Sequence, residues 1–270
     1  MVEPLRLMGV FAHPDDESMG VGGALARYAA EGVETSVVCA TRGERGWQGD
    51  PADNPGLAEL GRLREAELRA AAQVLGIRHL HVLDYIDGDL DQADPLEATR
   101  RIVALMRRQR PQVVITFGLE GAYGHPDHIA ISQLTLAACV CAADAAYPVP
   151  DNLPPHRVAK VYFMATTPEM VETYIRAFGN IVMTVDGVDR QPYPIPRWQV
   201  TTLVDTRPYW RQVWQAIQCH TTQLAAYSRL ADIPEADHEL LWGEQRFVRA
   251  YSLVSGGRAV ETDLFAGLRG

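Results

Sequence analysis

Short apolar runs alternate with helix-length amphipathic stretches along most of this chain, and that alternation constrains the fold more than any other feature of the sequence. Residues 5–12 form an apolar run, and after a polar turn residues 22–30 have helical spacing, the order expected when a strand feeds a helix. Residues 35–40, 79–83, 112–117 and 158–164 read as further strands, with helices over 57–75, 96–108 and 127–143 and a helix C-cap at Gly76. The expectation is an α/β fold, a Rossmann-like, mainly parallel sheet with helices on both faces. Two Pro- and Gly-rich stretches, 147–155 and 187–196, read as loops, the second bordering a smaller C-terminal lobe. A helix is expected over 208–229, and little pattern follows Gly256.

At 270 residues the chain can bury one sizeable core. We expect a single domain, 1–270, with a core over about 1–165 and a C-terminal lobe over about 166–270. A net charge of -9 argues against a nucleic-acid partner, which calls for a basic patch to displace counterions. Cys39, Cys139, Cys141 and Cys219 show neither the density of a disulfide scaffold nor a CxxC pair, and read as buried thiols. No run is long and apolar enough for a membrane span, and no secretory signal stands at the N-terminus, so a cytoplasmic protein is expected.

The chemistry concentrates in two tracts. Phe11-Ala12-His13-Pro14-Asp15-Asp16-Glu17 lies just past the first predicted strand, where open α/β sheets bind ligands. His13 and Asp16, three apart in a turn stiffened by Pro14, can bend towards one point as two metal ligands. A catalytic zinc takes three N or O ligands and keeps one position open, so a third ligand should come from elsewhere. The tract Tyr123-Gly124-His125-Pro126-Asp127-His128, at another strand-to-helix transition, supplies it. His128 can reach the metal while His125 stays near a substrate, and Asp127 can orient an imidazole. Either tract alone would read equally well as a helix cap or solvated turn; the pair at two strand ends is what favours a site.

The two tracts, about 110 residues apart, resemble the paired signatures of the LmbE-like, or PIG-L, de-N-acetylases. The resemblance extends to Thr41-Arg42-Gly43-Glu44, to Arg64 with Glu67 ahead of Leu75-Gly76, to Leu83-Asp84-Tyr85-Ile86-Asp87 and to His220-Thr221-Thr222-Gln223. It implies His13, Asp16 and His128 as ligands of Zn2+, with Fe2+ as the other ion suited to the set. It further implies Asp15 as general base, His125 as general acid with Asp127 beside it, and Tyr123 as a group that polarises the substrate carbonyl. Arg64, which by charge alone would be a solvated surface residue, becomes a contact for sugar hydroxyls or phosphate, and Asp87 a contact for a hydroxyl pair. Glu17 and Glu44 fit turn-bracing as well as substrate contact, and His220 fits a structural role better than a fourth ligand.

The activity implied is hydrolysis of an N-acetyl amide on an amino-sugar-type small molecule or glycoside, with association of identical chains left open. Within the family the other reading is an amidase acting on thiol conjugates. A dinucleotide-binding fold fails on spacing, because Leu25 stands where the fingerprint needs its third glycine. A two-metal phosphoesterase lacks ligands. A non-catalytic metal- or sugar-binding protein would need neither Asp15 nor His125.

Overall fold

In the computed structural model, which describes residues 4–254 and 257–269, strands and helices alternate from the start. In chain order they are β1 (Arg6–Phe11), α1 (Asp16–Ala30), β2 (Glu34–Thr41), α2 (Leu57–Leu75), β3 (His79–Tyr85) and α3 (Pro95–Gln109). Then come β4 (Val113–Thr116), the kinked turn α4 (Gly121–Gly124), α5 (Pro126–Ala143) and β5 (Lys160–Met164). The C-terminal third holds α6 (Pro168–Phe178), the hairpin β6 (Met183–Val185) and β7 (Val188–Arg190), β8 (Thr202–Asp205) and α7 (Trp210–Cys219). It ends with the single turn α8 (Leu224–Tyr227), α9 (Glu235–Trp242) and β9 (Glu244–Ser252).

The main sheet has the order β3-β2-β1-β4-β5-β9-β8, with β1 to β5 parallel and β9 antiparallel to both its neighbours. β1 and β4 read as nearly continuous apolar runs, and β2 is buried along almost its whole length, because helices cover both faces of the sheet. Helices α1, α2 and α7 pack together, as α3 and α5 do with each other. Local signals fix the ends. Asp94 accepts from the amides of Leu96 and Glu97 to start α3 behind Pro95, and Gly76 closes α2 at φ 73°. The main core runs through the sheet, with Phe11 and Phe117 in edge-to-face contact at 5.9 Å. A second cluster, centred on Trp210, Val213, Ile217, Leu230, Leu241 and Trp242, binds the helices of the C-terminal third together.

Several expectations need correction. The helix expected from Gly22 starts at Asp16, because the carboxylates of Asp16 and Glu17 favour the positive end of a helix and Asp15 serves as its cap. Its glycines are interior: a Cβ on Gly23 would come within 2.8 Å of Thr206, so glycine permits the close approach there. The helix expected over 208–229 breaks at His220, whose ψ of 63° is not helical. Strand β7 occupies the start of the loop expected over 187–196. The antiparallel strands β8 and β9 carried no clear alternation in the sequence, and they carry the central sheet across the boundary expected near residue 165. Cys39 and Cys139 are buried thiols, but Cys141 and Cys219 are only partly buried. Among the described residues no helix is long and apolar enough to cross a membrane. The ends of the 1–270 domain, residues 1–3 and 270, lie outside the described residues, as does Gly256.

Candidate active site

The chain steps outward from β1 through β2 to β3, then crosses back to β4 on the other side of β1. The crevice at that reversal is where open parallel sheets bind ligands, and each of the two His-Pro-Asp tracts leaves one of the two flanking strands. His13 to Asp16 follow β1, and His125 to His128 cap and begin α5 after β4. The turn after β2 brings Glu44, and the turn after β3 brings Asp87.

Three donor groups converge. His13 Nδ1 lies 3.2 Å from His128 Nε2 and 3.7 Å from Asp16 Oδ2, and His128 Nε2 lies 3.5 Å from Asp16 Oδ1. Donors bound tetrahedrally to zinc at about 2.0–2.2 Å stand about 3.3–3.6 Å apart, so this spacing fits one face of such a site. The remaining nitrogen of His13, Nε2, faces Asp127 Oδ2 at 3.0 Å and Asp87 Oδ1 at 3.1 Å, the carboxylate support usual behind a ligating imidazole. Two other triads are also compact enough to hold an ion, His13 with His125 and His128, and His13 with Asp87 and Asp127. Their extra members are already engaged, as is Asp16, whose Oδ2 accepts from the amides of His13 (2.7 Å) and Ala12 (3.2 Å). Asp127 accepts from the amides of Gly88 (2.7 Å) and Leu90 (3.1 Å), and His125 Nδ1 accepts from the Asp127 amide (3.1 Å).

Burial raises Asp16 to about 7 against the pull of His13. Burial opposes charge on His13, yet Asp127 and Asp87 outweigh it and raise the imidazole well above its usual value, so a proton is held where the carboxylates meet. Burial, with His13 and His125 alongside, keeps His128 well below its usual value and therefore neutral, the form that binds a metal. Burial opposes the charge of Asp87, but His13 brings that carboxylate down to about 2.

The other expected residues fall around this centre in specific ways. Asp15 sits at φ 104°, outside the range ordinary for a side-chain-bearing residue, with its carboxylate held by Tyr227 (2.8 Å) and Arg64 (3.3 Å). Arg64 turns inward, 4% exposed, and donates to the carbonyls of Gly43 (2.7 Å) and Pro14 (2.6 Å) as well as to Asp15. Gly43 has φ 63°, and a Cβ there would collide with that guanidinium. Glu44 Oε1 accepts from the Asp87 amide while its other oxygen has no hydrogen-bond partner among the described residues, and Asp87 Oδ2 accepts from the Arg45 amide. Tyr123 stands edge-on to His125 at 5.8 Å and to His128 at 5.2 Å, with burial raising its hydroxyl well above the usual phenol. Asp127 bonds the ring of His13, whereas towards His125 it offers only its amide.

Sequence reasoning missed one contributor and left the role of a second open. Tyr227 reaches Asp15 across 212 residues from α8, a single turn with no periodic signature. Glu17 bonds the Asp15 amide (3.1 Å) and pairs with His220 (3.0 Å), a partnership that only the two flanking motifs, read together, could have suggested. A groove of about 570 Å³ between β3 and α3, lined by Leu80, Val82, Arg100, Arg101 and Arg108, contains none of these residues.

Comparison with known proteins bears on the fold and the family. A 4-carboxy-2-hydroxymuconate hydratase from Pseudomonas putida KT2440 shares the fold, with a TM-score of 0.65 and 22% identity, over 94% of this chain and 100% of the hydratase. Fold alone therefore leaves the reaction open. A protein of Thermobispora bispora named 1D-myo-inositol 2-acetamido-2-deoxy-alpha-D-glucopyranoside deacetylase is 32% identical, over 97% of this chain and 98% of its own. Its namesake from Geodermatophilus obscurus is 34% identical over 100% of both chains. The profile of the PIG-L family, described as GlcNAc-PI de-N-acetylase, matches residues 8–139, which contain both His-Pro-Asp tracts. The chain belongs to the PIG-L family of de-N-acetylases, hydrolases of N-acetyl amide bonds.

Proposed function

We propose that this protein removes the N-acetyl group from an N-acetylglucosaminyl glycoside of inositol, the substrate in the names of its relatives, at a divalent-ion site formed by His13, Asp16 and His128. The observation that carries this reading is the convergence of His13 Nδ1, His128 Nε2 and the Asp16 carboxylate within 3.2–3.7 Å, beside a strained, donor-held Asp15. Two imidazoles and a carboxylate favour Zn2+, and the set also suits Fe2+. An ion bound there would supply Lewis acidity to the acyl carbonyl and lower the pKa of a water.

The chain's own groups complete the chemistry. Asp15 takes the proton from the attacking water at its carboxylate. The amide of Asp127 occupies His125 Nδ1, so the neutral ring carries its proton on Nε2 and can donate to the oxygen that gains charge, as can the Tyr123 hydroxyl. Burial and His13 lower His125 to about 4, so the resting ring is neutral. The proton that Asp15 has drawn from the water then passes to the departing nitrogen, while the neutral His125 stays a donor through Nε2. Asp127 orients His13, and the unpartnered oxygen of Glu44 and the Asp87 carboxylate face sugar hydroxyls in this reading.

The test is amine release by metal-defined protein from 1D-myo-inositol 2-acetamido-2-deoxy-alpha-D-glucopyranoside, from N-acetylglucosamine and from acylated thiol conjugates. Stoichiometric acetate and free amine from the inositol glycoside, faster than from the free sugar and lost on chelation, is the expected result. Turnover of the thiol conjugates alone would make the protein an amidase, and no amine release with zinc or iron(II) would refute the hydrolase reading.

A further inference from the structure

The His220-Thr221-Thr222-Gln223 tract and the helical turn after it take no part in the chemistry above, yet they close onto its base. Glu67 on α2 accepts from the Thr221 hydroxyl (2.5 Å), the Thr222 amide (2.8 Å) and the Thr222 hydroxyl (2.7 Å). Gln223 Nε2 donates to the Gly46 carbonyl (2.8 Å), and His220 is paired with Glu17. With the segment bolted down at these points, α8 carries Tyr227 over the first His-Pro-Asp tract, its ring packed against the Trp210–Trp242 cluster and its hydroxyl 2.8 Å from Asp15 Oδ2.

We propose that Tyr227 is a positioning residue, which fixes the carboxylate of Asp15 in the orientation a general base requires and so makes the C-terminal third part of the active site. The inference rests on the reading of Asp15 as the base. Tyr227 and Arg64 both donate to Oδ2, and among the described residues Oδ1 accepts no hydrogen bond. The carboxylate is pinned through one oxygen, and the other is left for a water. Burial and the charge of Asp15 raise Tyr227 well above the usual phenol, so its hydroxyl remains a donor throughout the working range. The main chain of Asp15 is held independently, at φ 104°, by the Glu17 carboxylate on its amide, and its carbonyl accepts from the amides of Ser18 and Met19. Loss of the phenol hydroxyl would therefore free the side chain alone.

The experiment compares Tyr227→Phe in two backgrounds, wild type and Asp15→Asn, measuring metal content, melting temperature, kcat and KM for amine release. Phenylalanine keeps the ring in its aromatic cluster. In the wild-type background Tyr227→Phe should keep its metal and its melting temperature and lose about tenfold to a hundredfold in kcat, since about 1 Å of misplacement can cost that much. KM should stay within about twofold, because the residue acts through Asp15 and not on the substrate. In the Asp15→Asn background the same substitution should change nothing further, the signature of two residues acting as one unit. Equal losses in both backgrounds, a rise in KM with kcat kept, or activity lost in step with metal or melting temperature would each overturn the positioning role. A near-wild-type Tyr227→Phe beside an inactive Asp15→Asn refutes this inference alone, whereas an active, metal-loaded Asp15→Asn refutes the base assignment itself.

Discussion

His220→Ala removes one half of the buried pair that braces the first His-Pro-Asp tract, and its cost can be worked from the structure. His220 is 0% and Glu17 1% exposed, with Nε2 and Oε1 3.0 Å apart. Burial works against the charge of both groups, yet each holds the other ionised, Glu17 below its ordinary 4.5 and His220 above its ordinary 6.5. Without His220, Glu17 either stays as a buried anion held only by the Asp15 amide and the Ser18 hydroxyl or takes up a proton. Protonating a carboxyl of ordinary value 4.5 at pH 7 costs about 3.4 kcal/mol, at 1.36 kcal/mol per unit, which sets the scale for the ionic loss. Removal of one partner of a buried pair costs about 3–5 kcal/mol in general, a large share of the roughly 5–15 kcal/mol that holds a domain together.

The pH dependence separates the ionic part from the cavity left by the ring. The Glu17 contribution, from a lowered carboxyl, is present above pH 4.5 and lost as pH falls through its folded value; the His220 contribution, from a raised imidazole, is present below pH 6.5 and lost as pH rises through its folded value. Urea unfolding of wild type and His220→Ala should be compared with chelator present, so that metal binding does not mask the difference. The expected deficit is about 3 kcal/mol or more near pH 6 to 7, shrinking towards pH 4 and again on the alkaline side. A deficit under about 1 kcal/mol, or one that does not change with pH, would refute the claim that an ionised pair holds this turn.

Three further outcomes follow from the geometry. His13→Ala and His128→Ala should each abolish stoichiometric metal binding measured by elemental analysis, since two remaining donors make too weak a site; full occupancy in either would refute the ligand assignment. Arg64→Ala should lower kcat rather than only raise KM, because the guanidinium holds Asp15 and the Pro14 and Gly43 carbonyls; steady-state kinetics showing a pure KM effect would return it to substrate contact. Lys160→Met should destabilise by about 3 kcal/mol in urea titration, because it removes the buried ammonium 2.8 Å from Glu261, a carboxylate that also pairs with Arg249 and accepts from Tyr162 and Thr202; an unchanged midpoint would refute this.

The sequence by itself determined the parallel half of the fold and singled out the side chains that the structure brings together at its centre. Strands such as β1 and β4, buried on both faces, must read as apolar runs, and a helix such as α2 must keep its period and its Gly76 cap, so these signals are local and survive without tertiary context. The two His-Pro-Asp tracts were equally legible, because each lies between a strand and the helix that follows it, and their convergence follows from strand order. Tertiary structure alone decided the rest. The antiparallel strands β8 and β9 form because β5 offers them an edge, and the expected 208–229 helix breaks because His220 turns to Glu17 while Thr221 and Thr222 bond Glu67. Arg64 reads as a charged residue on a polar helix, yet main-chain carbonyls from two turns that precede α2 draw it inward. Tyr227 meets Asp15 across 212 residues, and no spacing, period or local propensity encodes a contact between a single helical turn and a strand-end loop that far apart. What residues a short segment contains is written locally; which oxygen a distant hydroxyl will hold is settled only when the core places the two elements side by side.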